Sequence, residues 1–199
     1  MADSEESWTS TLINEQLRKR FESHDSAKVT NLAGQTCIAS FMPPKKVITF
    51  EGVAGDNFAG MNNGSKIILN GDAKRFLGNG MHDGEIILNG SCDEGAGHCL
   101  SGGTIVIQGS VDGDAGMSMS NGDLFISGTV RGDIATCMTG GTIVVCGDVL
   151  GDIGKMMTKG KILISGDFNK DELEIKNITP ADWKKLQVKL KDYGIDSSG

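Results

Sequence analysis

The chain has 199 residues, enough for one continuous core, and its 19 basic against 26 acidic residues give a formal charge of −7. That balance argues against a nucleic-acid footprint or an anchor on an anionic membrane. It carries 29 glycines against 3 prolines, yet 38% of its residues are hydrophobic and it has neither a strict triplet nor a Gly/Ser run, which excludes collagen, linker and disordered classes.

Five cysteines (Cys37, Cys92, Cys99, Cys137 and Cys146) form neither an even set nor a CxxC pair. The opening MADSEESW lacks the regions of a signal peptide. No apolar run approaches the roughly 20 residues of a membrane span. The expectation is a cytoplasmic chain with reduced thiols and no membrane contact.

The first predicted element is a helix in which Ile13, Leu17 and Phe21 recur at helical spacing. Between it and the glycine-rich region, residues 28–50 predict two strands around Met42-Pro43-Pro44-Lys45. Residues 1–46 therefore read as an N-terminal helix and capping segment.

Residues 47–168 are organised by a repeat. Gly52, Gly71, Gly90, Gly109, Gly128, Gly147 and Gly166 are each 19 residues apart, and Gly84, Gly103, Gly122, Gly141 and Gly160 keep the same spacing. Between the two ladders sit IILN, IVIQ, LFIS, IVVC and ILIS, short β-branched runs bounded by glycine, which read as strands between turns. Strands joined by one circuit of chain run parallel, with right-handed crossovers. The predicted fold is all-β: a right-handed parallel β-helix of about six 19-residue coils, with short helical segments at both ends.

The repeat sorts its columns into inside and outside. Met61, Met81, Leu100, Met119, Met138 and Met157 are aligned as core filling. Leu77, Ala96, Ala115, Ile134 and Ile153 form another apolar column, and Cys92 shares one with Ala73, Val111, Val130 and Val149. In the strands, Ile67 and Leu69 and their repeats face inward by alternation. The outer face carries Asn70, Asn89, Gln108, Ser127, Cys146 and Ser165, and also an apolar stripe of Ile68, Ile87, Val106, Phe125, Val144 and Leu163. Such a stripe does not stay wet on a monomer. Either the chain's own terminal segments cover it, or it is a candidate subunit interface.

The last predicted element is a helix opened by Thr179-Pro180, striped by Trp183, Leu186, Leu190 and Tyr193 and ended by Gly194. Residues 169–199 read as a C-terminal segment with a capping helix.

Catalytic constellations are sparse. GMSMS (Gly116 to Ser120) does not make a GxSxG elbow. Gly151 to Lys155 lacks the phosphate-loop spacing. His24, His82 and His98 do not cluster as metal ligands. Cys99 and Cys137, two coils apart at roughly 9.6 Å, are beyond disulfide reach. Asp56, Asp114, Asp133 and Asp152, each after a glycine, read as turn caps rather than a cation site. No catalytic, cofactor-binding or metal-binding residue is expected in this chain.

GDIATCMTGGTIVVCG (Gly132 to Gly147) and GDAGMSMSNGDLFISG (Gly113 to Gly128) resemble the glycine-repeat (GXGXG) β-helix family. That family includes the C-terminal domain of the glutamate synthase large subunit and the glycine-repeat subunit of formylmethanofuran dehydrogenase. VTNLAGQTCIAS (Val29 to Ser40), Ala59 to Asn62, Val144 to Asp148 and the tail from Pro180 to Asp196 look most like free-standing glutamate synthase-like subunits, such as the β-helix subunit of N-methylglutamate synthase. Phe76 and Gly95 depart from the pattern by replacing the turn aspartate.

The resemblance implies a non-catalytic scaffold subunit of a glutamate synthase-type oxidoreductase complex in nitrogen metabolism. Its partners would be a glutamine amidotransferase subunit and a synthase subunit carrying FMN and an iron–sulfur cluster. The alternative within the family is the corresponding glycine-repeat subunit of a formylmethanofuran dehydrogenase or formyltransferase/hydrolase complex. Outside it, a stand-alone esterase-like hydrolase and a self-assembling filament are the competing classes.

Overall fold

The computed structural model describes residues 9–169 and 179–195. It holds a single sheet of eight parallel strands in sequence order: β1 (Ser26–Ala33), β2 (Val47–Val53), β3 (Asn63–Asn70), β4 (Asp83–Leu88), β5 (Thr104–Ile107), β6 (Asp123–Ile126), β7 (Thr142–Val145) and β8 (Lys161–Ile164). Each strand pairs with the next, so the chain climbs one coil per strand and forms a solenoid of about 7 turns. Seven steps of about 4.8 Å give the stack a length on the order of 34 Å. Helix α1 (Ser10–Arg20) precedes the sheet and helix α2 (Pro180–Asp192) follows it.

Two further parallel ladders close the cross-section. One runs through Ala54, Ala73, Cys92, Val111, Val130, Val149 and Phe168, the other through Ala96, Ala115, Ile134 and Ile153. Both match the columns expected from the repeat. Between these walls and the sheet lies one core, in which Ile67, Ile86, Ile105, Leu124 and Ile143 are fully buried with Leu69, Leu88, Ile107, Ile126 and Val145. Phe50 and Phe58 pack edge to face in it, ring centroids 5.1 Å apart. In the last coil Ile153, Met157, Ile162 and Ile164 are only partly buried.

The 19-residue period holds from Val47↔Lys66 onward. The first step is longer: Ser26 pairs with Val47 and Leu32 with Gly52, with a register shift after Val29. Asn31 there takes a left-handed φ of +64°. The two strands expected in residues 28–50 thus join the same sheet, in a coil too long to be seen by its period.

The methionine column needs one correction. Met81, Leu100, Met119 and Met138 are fully buried, but Met61 is 36% exposed. Asn62 takes the core slot instead, completely buried, with Nδ2 donating to the Ser65 carbonyl at 2.8 Å and Oδ1 accepting from Ser65 N at 3.2 Å. A buried amide is tolerated there because its donor and acceptor are both satisfied locally.

Helix α1 closes the N-terminal end. Thr9 caps it, its hydroxyl accepting from Leu12 N at 3.3 Å. Ile13, Leu17 and Phe21 enter the core. In the regular coils the backbone N–H of Ala59 or Gly78 reaches a carbonyl of the previous coil, Ile38 or Phe58. Ala39 has no previous coil. Its N–H donates to Asn14 Oδ1 at 2.9 Å, while Asn14 Nδ2 donates to the Cys37 carbonyl at 2.8 Å. One asparagine side chain thus stands in for missing backbone.

Candidate functional site: the outer stripe and its helix

The outer stripe lies on β3 to β8 as alternation requires, one residue per rung, aligned by the pairings Ile68↔Ile87↔Val106↔Phe125↔Val144↔Leu163. Its middle is not open. Val106, Phe125 and Val144 are buried in a second apolar cluster with Leu186, Leu190 and Ile195 of the C-terminal segment. Ile87 and Leu163 are partly buried at its margins, together with Cys146, Trp183 and Tyr193. Ile68 is half-buried and lies outside this cluster. The structure therefore places α2 along the flank of the sheet, not across the last coil where a capping helix was expected. The physical reason is supply: the helix stripe and the strand stripe are the two apolar surfaces left over by the core, and joining them removes both from water.

The local sequence ends α2 where this contact requires. Gly194, with φ +72°, sends its N–H to the Lys191 carbonyl at 3.0 Å, and Ile195 sends its own to Leu190 at 2.9 Å. This is a Schellman turn, and it folds Ile195 back onto Leu190.

Polar groups at the rim fix the register. Tyr193 donates its hydroxyl to Glu85 Oε1 at 2.5 Å, and Gln108 Nε2 donates to the Tyr193 carbonyl at 2.6 Å. Lys189 pairs with Asp123 at 2.8 Å, and Lys66 with Glu85 at 2.7 Å. The Tyr193 ring lies 6.0 Å from Phe125 at 36°. Partial burial and the Glu85 carboxylate push the Tyr193 hydroxyl up to about 12. Half-burial opposes ionisation of Glu85, yet the Lys66 ammonium and the tyrosine hydroxyl hold its carboxyl below the usual range. Of this clasp, sequence reasoning found only Tyr193, as an apolar stripe member. Glu85, Gln108 and Asp123 sit at polar strand positions with no signal that separates a clasp from a solvated face.

The other singled-out residues serve the stack. Asp114 Oδ1 accepts from Asp133 N, and Asp133 Oδ1 from Asp152 N, each at 2.8 Å. These aspartates therefore tie one coil to the next rather than capping their own turn. Asp56 belongs one column earlier, where it accepts from Arg75 N at 3.1 Å and pairs with the Arg75 guanidinium, which draws its carboxyl below the usual range. In the segment faintly like a phosphate loop, Lys155 is engaged by Asp133 at 3.1 Å and Asp152 at 2.5 Å.

A second polar ladder, Asp72, Ser91, Ser110 and Thr129, runs between coils in the same way, with the side-chain oxygens of Asp72, Ser91 and Ser110 each accepting from the next backbone N–H. Cys92 is buried, and desolvation pushes its thiol up to about 12. His82 meets Ser101 Oγ at 2.7 Å, and His98 lies 6.0 Å from the Phe76 ring. Among the described residues no group of three or more His, Cys, Asp or Glu is placed to hold a metal ion, and no helix is long and apolar enough to cross a membrane.

This geometry presents two things to chemistry: a rigid ladder of parallel strands, and a flank dressed by a helix. A search of curated proteins returns no match. The GXGXG motif family model matches residues 13–194, covering every coil, all of α2 and α1 from Ile13 onward. The chain belongs to the GXGXG motif family.

Proposed function

We propose that this chain is a non-catalytic scaffold subunit of a glutamate synthase-type oxidoreductase complex. It would hold a glutamine amidotransferase subunit and an FMN- and iron–sulfur-bearing synthase subunit so that ammonia passes between them. The observation that carries the reading is the family match over residues 13–194. The fold supports it: coils tied by strand pairing, two bridge ladders and side-chain ladders make a body that transmits position without deforming. A partner docking on the stripe side would meet the outer face of α2, with exposed Lys184, Lys185 and Val188, and the Ile68 end of the stripe.

The test is native purification of the complex with an absorption spectrum and an activity assay. Flavin and iron–sulfur bands with glutamine-dependent formation of glutamate or N-methylglutamate are expected. A pterin cofactor with formate chemistry would move the chain to the formylmethanofuran dehydrogenase branch. Recovery of the chain alone would sink the scaffold reading.

A further inference from the structure

The sheet has an edge at β1. The Asp25 carbonyl accepts from Val47 N at 2.9 Å, so it faces β2. By alternation the backbone groups of Ala27 and Val29 face β2 as well, and those of Ser26, Lys28 and Thr30 face away. The outward Ser26 carbonyl is taken by Arg20 Nε at 2.7 Å. Among the described residues, nothing pairs with the outward N–H and C=O of Lys28 and Thr30. An unpaired edge of this kind is a template for another strand.

Beside this edge, between β1 and α1, runs a groove of about 640 Å³. Ile13, Leu17 and Leu32 supply apolar lining, while Lys19 and Arg20 supply cationic groups. No aspartate or glutamate lines it among the described residues, although the chain as a whole carries −7. Lys28 also lines it, sharing its charge with Glu51 of β2 at 2.8 Å. The surrounding segment has the same bias: residues 9–50 hold six lysines and arginines against three acidic residues.

We propose that this groove accepts an extended, acidic segment of a partner chain, added to β1 as a further parallel or antiparallel strand. Its main chain would pair with Lys28 and Thr30, and its acidic side chains would face the exposed Lys19. The register shift after Val29 and the left-handed Asn31 end the regular edge, so the added strand is short. The proposal deepens the scaffold reading by naming one contact surface, and rests on it only for the existence of a partner.

The test uses the full chain and a fluorescently labelled short peptide alternating glutamate and valine, followed by anisotropy. Saturable binding that weakens with added salt is expected. Lys19→Glu and Lys28→Glu, each checked for an unchanged far-UV spectrum, should each weaken it about tenfold. A peptide with two adjacent central prolines should not bind, since one of them must fall on the paired side. Absence of saturable binding at low salt, or equal binding by the proline peptide, overturns the proposal. So does binding seen only when Asp3, Glu5 and Glu6 are replaced by their amides, because the groove would then belong to the chain's own acidic terminus. None of these outcomes depends on which reaction the complex performs, so this idea and the scaffold reading fail separately.

Discussion

At the scale of single residues, the stack is governed by how little room one coil leaves for the next. Gly71 has φ +143°, and a Cβ there would strike the Gly52 carbonyl of the coil below, whereas Gly34, with φ +88°, has nothing within 4 Å of such an atom. The pair separates two effects that composition alone confounds. Gly34→Ala should cost about 1 kcal/mol, the left-handed backbone penalty alone. Gly71→Ala should cost on the order of 3 kcal/mol or more, because backbone must also move. Urea denaturation of the two variants measures the difference, and equal costs would mean that coil spacing yields more easily than the contacts suggest. Thiol chemistry gives a second check on the same packing. Cys92 is buried and its thiol is pushed up to about 12, while Cys37 and Cys99 are exposed. Iodoacetamide followed by peptide mass mapping should label Cys37 and Cys99 in the native protein and Cys92 only after unfolding. Early labelling of Cys92 would show that its wall of the prism opens.

At the scale of elements, the coils were legible in the sequence, and the cover of the outer stripe only as one of two alternatives, the chain's own terminal segments or another subunit. A period of 19 residues fixes which strands neighbour one another, and alternation then fixes their inner face, as the buried Ile86, Leu124 and Ile143 show. Met61, 20 residues before Met81, matched that column by side-chain type and not by the period, which points to Asn62, the residue that fills the slot. The period was silent on β1, whose coil is longer. Nothing in an apolar stripe states what will cover it, so whether α2 caps an end or lies on a flank is decided by tertiary fit. Phe125→Asp tests that fit. A carboxylate placed between Val106, Val144 and Leu190 has no partner there, and burying it costs more than a single helix contact returns. Hydrogen exchange should then accelerate in residues 183–193 while β5 to β7 stay protected. Loss of protection in both would mean that the flank helix holds the coils together. The clasp adds a pH dependence of definite sign. The Glu85 carboxyl lies below its ordinary 4.5 in the folded chain. Its contribution to α2 docking is therefore fully present above that pH and is lost as pH falls through the lower folded-state value. Exchange in α2 should rise on acidification below about pH 4.5, and Glu85→Gln should flatten that rise. An unchanged profile in the variant would mean that Glu85 does not govern the acid response of α2.

At the scale of the molecule, a solenoid is a one-dimensional stack whose stability is shared between neighbouring coils and whose ends decide whether it stops. The helical stripes at both termini predicted two stoppers. The structure shows one of them at work, since α1 sits over the first coil while α2 is spent on the flank. The N-terminal stopper has two parts. Ile13 and Leu17 cover the apolar end of the core, and Asn14 replaces the backbone of a coil that does not exist by bonding both Cys37 O and Ala39 N. The first part acts through area and the second through direction. Asn14→Ala leaves the cover in place but orphans a buried-side N–H and a carbonyl, a loss of about 1–3 kcal/mol. Ile13→Asp removes the cover itself by setting a charge against the core. If α1 is what keeps the stack from growing, Asn14→Ala should lower the melting temperature and remain monodisperse in sedimentation velocity. Ile13→Asp should give larger species whose proportion grows with protein concentration, because the uncovered first coil then offers its unpaired edge and apolar end together to a second molecule. A monodisperse Ile13→Asp protein with an unchanged melt would place the stopper elsewhere: the β1 edge would then be protected by its own cations, and its groove would have to be read as a surface that repels copies of this chain while admitting an acidic strand.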